Sequence, residues 1–273
     1  MSDERVIRNR LALLPPIRRA RLWRLYAQDR LPGRPWRFLD LWMDDGRSIL
    51  GAKGTGLGTV AKAAIDVGLT RPFPSVREAR LAKALLARHP GYAAVRFYRD
   101  EDRALRAAES AAPGVPMTVL RPFAEFLKRR TGEEAEPRVA LPRLPCPAAL
   151  APAALLFRDG ADAETAGGDL VPPLQLAAAH AALFELERFA RVYREGLWQK
   201  ADRRLRPFFE RRGPYLYPRV GADGYEAFFS AALAAGVLVS PDPERPSILP
   251  GDFDDGELAA LAAALGASGI AWS

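Results

Sequence analysis

The sequence predicts an α/β fold in which a larger α/β domain is followed by a smaller α+β domain. Three observations carry this. Extended and helical patterns alternate through the middle of the chain: a strand over 95–98, a helix over 100–112 stopped by Pro113-Gly114, and a strand over 117–120. A long helical pattern then runs from Pro173, which suits a first helical turn, to residue 206 before Pro207. The carboxy-terminal residues alternate again, with strands over 215–220, 237–239 and 247–249 and helices over 224–235 and 254–265. Asp254 and Glu257 have the spacing of a capping box, and Gly266 suits the position just past that helix.

The remaining elements follow the same logic. Residues 5–30 scatter Val6, Leu11, Leu14, Leu22 and Leu25 among arginines, with Pro15-Pro16 between them; this predicts a short arm and then a helix over 17–29. The runs 36–43 and 48–50 flank Asp45-Gly46, which supplies the positive φ of a tight turn and predicts a hairpin. Gly51-Ala-Lys-Gly-Thr-Gly-Leu-Gly58 leads into a helix over 59–67. Ser75 and Glu78 form a second capping-box pattern ahead of a helix over 76–88. Between 131 and 152 the acidic Glu133, Glu134 and Glu136 precede prolines 137, 142, 145, 147 and 152. That density excludes a continuous helix and leaves room for short strands at 139–141 and 154–157. Residues 160–169 read as a flexible loop, and Glu187 four residues before Arg191 supports the registry of the long helix.

An apolar content of 49% over 273 residues is enough to bury a sizeable core. No apolar run approaches the roughly 18 residues of a membrane span, and the start MSDERVIRNRLALLPPIRRAR carries mixed charge, so a cytoplasmic protein without a membrane partner is expected. Cys146 is the single cysteine, which excludes an intramolecular disulfide and a multi-thiolate zinc site. His89 and His180 add too little for a nitrogen-rich metal cluster. The net charge of +7 sets 40 basic residues against 33 acidic ones, and of the basic residues 35 are arginines and five are lysines (Lys53, Lys62, Lys83, Lys128 and Lys200). This reads as a solvated arginine-rich surface, and nucleic acid is not the expected partner.

The order of elements resembles the class III aminotransferases of the pyridoxal-phosphate fold type I family. Ser-Val-Arg-Glu-Ala-Arg-Leu-Ala-Lys-Ala-Leu (75–85) and Val-Arg-Phe (95–97) resemble the amino-terminal third of those enzymes. Pro173-Leu-Gln-Leu-Ala-Ala-Ala-His-Ala-Ala-Leu183 resembles the long helix leaving their large domain. Tyr225-Glu-Ala-Phe-Phe, Gly236-Val-Leu-Val-Ser-Pro, Ile248-Leu-Pro and Asp254-Asp-Gly-Glu-Leu resemble their small domain. The resemblance implies a truncated fold type I PLP-transferase-like large domain plus an α+β small domain. An amino-terminal arm, helix and hairpin over 1–50 packs with the small domain, the reduced large domain covers 51–172, and the long helix and small domain cover 173–273. It also implies a homodimer.

The departures govern function. Where the family has an asparagine-serine-glycine-threonine-glutamate phosphate loop, this chain has Tyr98-Arg-Asp-Glu-Asp-Arg-Ala104. Carboxylates there repel a phosphate, partly offset by Arg99 and Arg103. The family also needs an aspartate on a buried strand for the pyridinium nitrogen and a lysine on a later strand. Between 113 and 170 the lysine present is Lys128, in the basic Leu127-Lys-Arg-Arg130, which reads as a helix end on the surface. No catalytic residue, resident cofactor or metal site is therefore expected. The candidate anion site is Gly54, Thr55, Gly56 and Gly58 before a helix, with Arg99 and Arg103; Lys53 lies before those glycines, unlike a Walker lysine. The expected function is a non-catalytic aminotransferase-like protein binding a partner or a small anionic ligand. The competing readings are a reduced pyridoxal-phosphate-dependent aminotransferase with an unrecognised lysine, and a nucleic-acid-binding protein using residues 5–37 and 121–130.

Overall fold

The computed structural model describes residues 4–51, 56–123, 137–190 and 195–272. The chain forms two compact units, one made of Met1–Ala52 with Phe189–Ser273 and the other of Lys53–Arg188.

The first unit begins with α1 (Glu4–Leu11), β1 (Ile17–Arg21), β2 (Arg24–Ala27) and β3 (Arg37–Asp40). Residues 5–11, expected as an arm, are helical because Arg10 is anchored: its Nε donates to Glu226 at 2.9 Å and its Nη1 to the Pro241 carbonyl at 2.7 Å. Residues 17–27 are a hairpin and not the expected helix. Strand β2 pairs with β3 through Arg24↔Leu39, Leu25↔Phe38 and Tyr26↔Arg37, and buried Trp23 donates from Nε1 to the Ile49 carbonyl at 3.0 Å. Those partners lie far enough along the chain that local periodicity does not contain them. Gly51 fits against this hairpin; at φ +77°, an added Cβ would stand 3.0 Å from the Leu22 backbone.

The expected hairpin at 36–50 does not form. Asp40 ends β3 and accepts from the backbone N–H groups of Trp42 (3.0 Å) and Met43 (2.8 Å), and Met43, Asp44 and Asp45 then take left-handed φ values of 49–54°. The carboxylate captures the amides that a returning strand would need.

The second unit holds α2 (Leu57–Asp66), α3 (Val76–Arg88), β4 (Ala94–Tyr98), α4 (Glu101–Ala111), β5 (Thr118–Leu120), β6 (Val139–Pro142), β7 (Ala153–Phe157), α5 (Gly160–Ala166) and α6 (Pro173–Ala190) through Arg188. The sheet order is β4-β7-β6-β5. Strands β5 and β6 are parallel, while β7 is antiparallel to both β6 and β4. Strands β4, β5 and β6 therefore end at the same edge. Tyr98, Val139, Leu141, Leu155 and Phe157 bury one face of the sheet against Ala104 and Ala108 of α4 and Ala163 of α5. Residues 160–166, expected as loop, form a helix because Asp159 caps it, accepting from the Ala161 N–H at 2.9 Å, and because Asp162 is held by Arg138 at 2.6 and 2.7 Å.

The chain returns to the first unit with α7 (Glu195–Leu205), β8 (Phe209–Arg212), β9 (Tyr215–Pro218), α8 (Tyr225–Ala234), β10 (Val237–Leu238), β11 (Ser247–Ile248) and α9 (Asp255–Ala267). Residues 191–194, where one continuous helix and the Glu187–Arg191 pair were expected, lie outside the described residues. Strand β8 was not foreseen. Its partner is β9, and bidentate bonds from Arg211 to Asp202 at 2.7 Å fasten it to α7. Two sheets result, β1-β2-β3-β10 and β11-β9-β8. The Asp254–Glu257 capping box is present, but α9 continues through Gly266 to Ala267, and the left-handed glycine is Gly269 at φ +68°. Gly236 also needs its positive φ, since a Cβ there would meet the Arg37 carbonyl at 3.0 Å.

Candidate functional site

In open α/β sheets the carboxyl ends of strands leave unpaired backbone and loop side chains around a crevice, the usual place for a ligand. Here β4, β5 and β6 deliver Tyr98, Leu120 and Pro142 to one edge of their sheet. Arg121 follows β5 and Arg143 follows β6. Beside them, α3 ends at Arg88 and His89, whose backbone N–H closes the helix on the Leu85 and Leu86 carbonyls. Together these segments line a cleft of about 310 Å³, with Leu85, Leu120, Phe123 and Leu183 supplying apolar wall. Three guanidinium groups, Arg88, Arg121 and Arg143, face it with His89, and among the described residues no Asp or Glu lines it.

The deepest cation is Arg143, whose side chain is 2% exposed and ion-paired through Nη1 with Glu101. Glu101 belongs to the first turn of α4, capped by Asp100, which accepts the Arg103 N–H at 2.8 Å. The positive end of α4 is thus already complemented by its own carboxylates. Arg88 stands 3.8 Å from Glu187, a surface carboxylate.

Of the expected anion residues, Gly54 and Thr55 lie outside the described residues, as do Lys53 and Lys128. Gly56, at φ +88°, precedes α2, and Gly58 is inside it, with open space around both. Arg99 and Arg103 do come together, on Asp169. The Arg99 backbone N–H donates to its Oδ2 and Arg103 Nη1 to its Oδ1, each at 3.1 Å. Arg99 Nε also donates to the Leu170 carbonyl at 3.2 Å. The charge of Arg103 is directed at the protein's own carboxylate, and the Arg99 guanidinium is turned to a backbone carbonyl. Arg88 and Arg143 were not singled out from sequence, and Arg121 entered only as the first of residues 121–130 in the nucleic-acid reading. Each directly follows or closes a correctly located element, but only the parallel pairing of β5 and β6 brings Arg121 and Arg143 to one edge, where the end of α3 adds Arg88.

Other reactive groups are placed unfavourably for chemistry. Cys146 is fully buried, donates weakly to the Leu150 carbonyl at 3.5 Å, and has its thiol pushed by burial up to about 12. The imidazole of His180, against the Phe184 ring, is held below its ordinary value by burial and by Arg80 and Arg77. Among the described residues no group of three His, Cys, Asp or Glu side chains is placed to hold a metal ion, and no helix is long and apolar enough to cross a membrane.

Known proteins share this architecture at the level of the fold. No family model matches the chain. An uncharacterized protein of Treponema pallidum (strain Nichols) is 32% identical over 287 aligned residues, covering 86% of this chain and 88% of that protein. An uncharacterized protein of Borreliella burgdorferi is 25% identical, covering 90% and 88% respectively. Among solved structures, an omega-transaminase from Sphaerobacter thermophilus superimposes with a TM-score of 0.66 at 13% identity over 97% of both chains. N-acetylornithine aminotransferase from Stenotrophomonas maltophilia gives 0.60 at 16% identity over 96% of this chain and 98% of its own. At such identities the likeness establishes the fold alone. The chain therefore has the fold of the pyridoxal-phosphate transferases and belongs to the same protein family as the Treponema pallidum protein.

Proposed function

We propose that this is a non-catalytic aminotransferase-like protein that binds a small anionic molecule in the cleft between Arg88, Arg121 and Arg143. The observation that carries the reading is the pair Arg143–Glu101: the buried cation directly after β6 is an arginine, already matched by a carboxylate on the helix that follows β4. Pyridoxal phosphate does not fit what surrounds it. Imine chemistry needs a lysine amine, and a guanidinium is too weakly nucleophilic and always charged. The described lysines, Lys62, Lys83 and Lys200, are all exposed on helices. A phosphate at the start of α4 would face Asp100, Glu101 and Asp102. With Arg143 already matched by Glu101, what the cleft offers an anion is the Arg121 and Arg88 guanidinium groups beside an apolar wall, suited to a carboxylate or phosphate carried on a short hydrocarbon frame. On this reading, residues 53–188 are a shortened large domain and the other unit a small domain, and the resemblance supports a homodimer.

The test is a titration of the full chain with pyridoxal phosphate, read by absorbance, borohydride reduction and peptide mass mapping, beside a thermal-shift series of dicarboxylates and phosphate monoesters. The reading expects no lysine adduct, and stabilisation by an anion that is lost in Arg121→Gln. A covalent adduct at one lysine would replace it with the reduced-enzyme reading.

A further inference from the structure

Residues 5–37 contain ten arginines (5, 8, 10, 18, 19, 21, 24, 30, 34 and 37) against the single acid Asp29. Three of the ten are committed inside the fold: Arg10 to Glu226, Arg24 to Glu257, and Arg37 to Glu257 and Asp254. Five others behave differently. Arg18, Arg19, Arg21, Arg30 and Arg34 are exposed, and none has a carboxylate within 4.0 Å among the described residues. Strand β1 is an edge of its sheet, and all five of its residues are exposed.

Two of these cations rest on aromatic rings. The Arg19 guanidinium lies 4.5 Å from the centroid of Tyr26, and that of Arg30 lies 3.8 Å from Trp36. The two rings are 5.6 Å apart and tilted by 49°. Arg18, Arg19, Tyr26, Gln28, Arg30 and Trp36 enclose a cleft of about 250 Å³. Stacking on a ring holds a guanidinium plane extended without neutralising it, so the fork stays available to a phosphate. Side chains two residues apart on β1, such as Arg19 and Arg21, share a side at a step of roughly 6.6 Å, forming a row and not a point.

We propose that the β1–β2 hairpin, with the Arg18–Trp36 cleft at its end, is a docking track for single-stranded nucleic acid. Phosphates lie along Arg18, Arg19, Arg21, Arg30 and Arg34, and an unpaired base enters the cleft against Trp36 and Tyr26 with Gln28 at its polar edge. Unpaired positive charge supplies the backbone attraction, and the half-buried rings select unstacked bases over a duplex. This surface is independent of the cleft at the carboxyl edge of the β4–β7 sheet, so either reading can fail without the other.

The test is fluorescence anisotropy of the full chain with a labelled thymidine or uridine oligomer of about 12 nucleotides, over a salt series. Three to five phosphate contacts predict a slope of log affinity on log salt of about −2 to −3.5, at roughly 0.7 per contact. Combined R18Q/R19Q/R30Q is expected to weaken binding by at least tenfold with an unchanged melting temperature. Trp36→Leu is expected to weaken it about tenfold while leaving most of the salt slope intact. A control triplet, R203Q/R206Q/R219Q, removes the same number of arginines from another surface cleft, which Asp202 also lines, and is expected to have little effect. Absent binding at low salt, equal affinity for duplex or for a sulfated polysaccharide, or equal loss in both triplets would overturn the proposal.

Discussion

Arginines around the sheet of residues 53–188 and those on the amino-terminal hairpin are the same side chain in opposite settings. In the former, Arg143 is sealed against Glu101, Arg138 grips Asp162 bidentately, and Arg103 holds Asp169. On the hairpin, Arg18, Arg21 and Arg34 project into solvent, and Arg19 and Arg30 lie on rings. Arg24 shows how narrow the division is. It is one strand away from Arg21 and pairs with it in register, yet it is buried against Glu257. An excess of arginine in a composition therefore mixes two populations, one that fastens elements together and one that leaves a field outside the protein.

Breaking the fastened population should produce the largest effects. Arg24→Ala takes the bidentate partner from Glu257, whose side chain is 10% exposed, leaving it Arg37 at 3.3 Å and the Asp254 N–H, and is expected to cost about 3 kcal/mol in urea unfolding. Arg143→Ala is expected to cost less, about 2 kcal/mol, because Glu101 is 30% exposed and water can reach it. A loss below about 0.5 kcal/mol in both would mean these pairs do not fasten the fold. Burial raises the Glu257 carboxyl, but hydrogen bonds from Arg24 and the Asp254 N–H outweigh it and hold the group below its ordinary 4.5. Its contribution is accordingly present above pH 4.5 and fades as pH falls through the lower native value.

Changing the exposed population should barely register in stability. The R18Q/R19Q/R30Q variant is expected to unfold within about 0.5 kcal/mol of the parent, since no carboxylate is orphaned. A loss near that of Arg24→Ala would erase the distinction.

The last effect is read against pH and belongs to a carboxylate whose shift owes nothing to a guanidinium. Burial pushes Asp40 up from 3.8 to about 6, with Asp44 adding to the rise and the Met43 and Trp42 amides opposing it. Its native state holds a proton that the unfolded chain has released, so this group's contribution to stability falls as pH rises from about 4 to 6. Asp40→Asn should flatten that slope in a melting-temperature series, and an unchanged slope would assign the acid response to other groups.

Much of the secondary structure was legible. The α3 and α4 helices and strands β4 and β5 were located to within a residue or two because their patterns are local, and the proline spacing left room for β6 and β7 where they form. The elements misread share one cause. At 17–27, 40–50 and 160–166, the outcome hangs on partners distant in sequence or on a carboxylate capturing nearby amides, as Glu257, Ile49, Asp40 and Arg138 illustrate. The candidate site was less legible than the fold. Arg99 and Arg103 drew notice beside a familiar motif, whereas Arg88, Arg121 and Arg143 stand in unremarkable sequence.

The amino-acid sequence by itself determined the α/β class, the helix caps at Ser75 and Asp254, and the basic excess of the amino-terminal residues, because these reside in local spacing and composition. Only the tertiary structure decided which arginines meet a carboxylate and which remain outside. Strand direction and register place Arg143 over Glu101 and Arg24 over Glu257 while turning Arg19 and Arg21 to water. Those are relations between distant segments, set by the burial that packs the sheets.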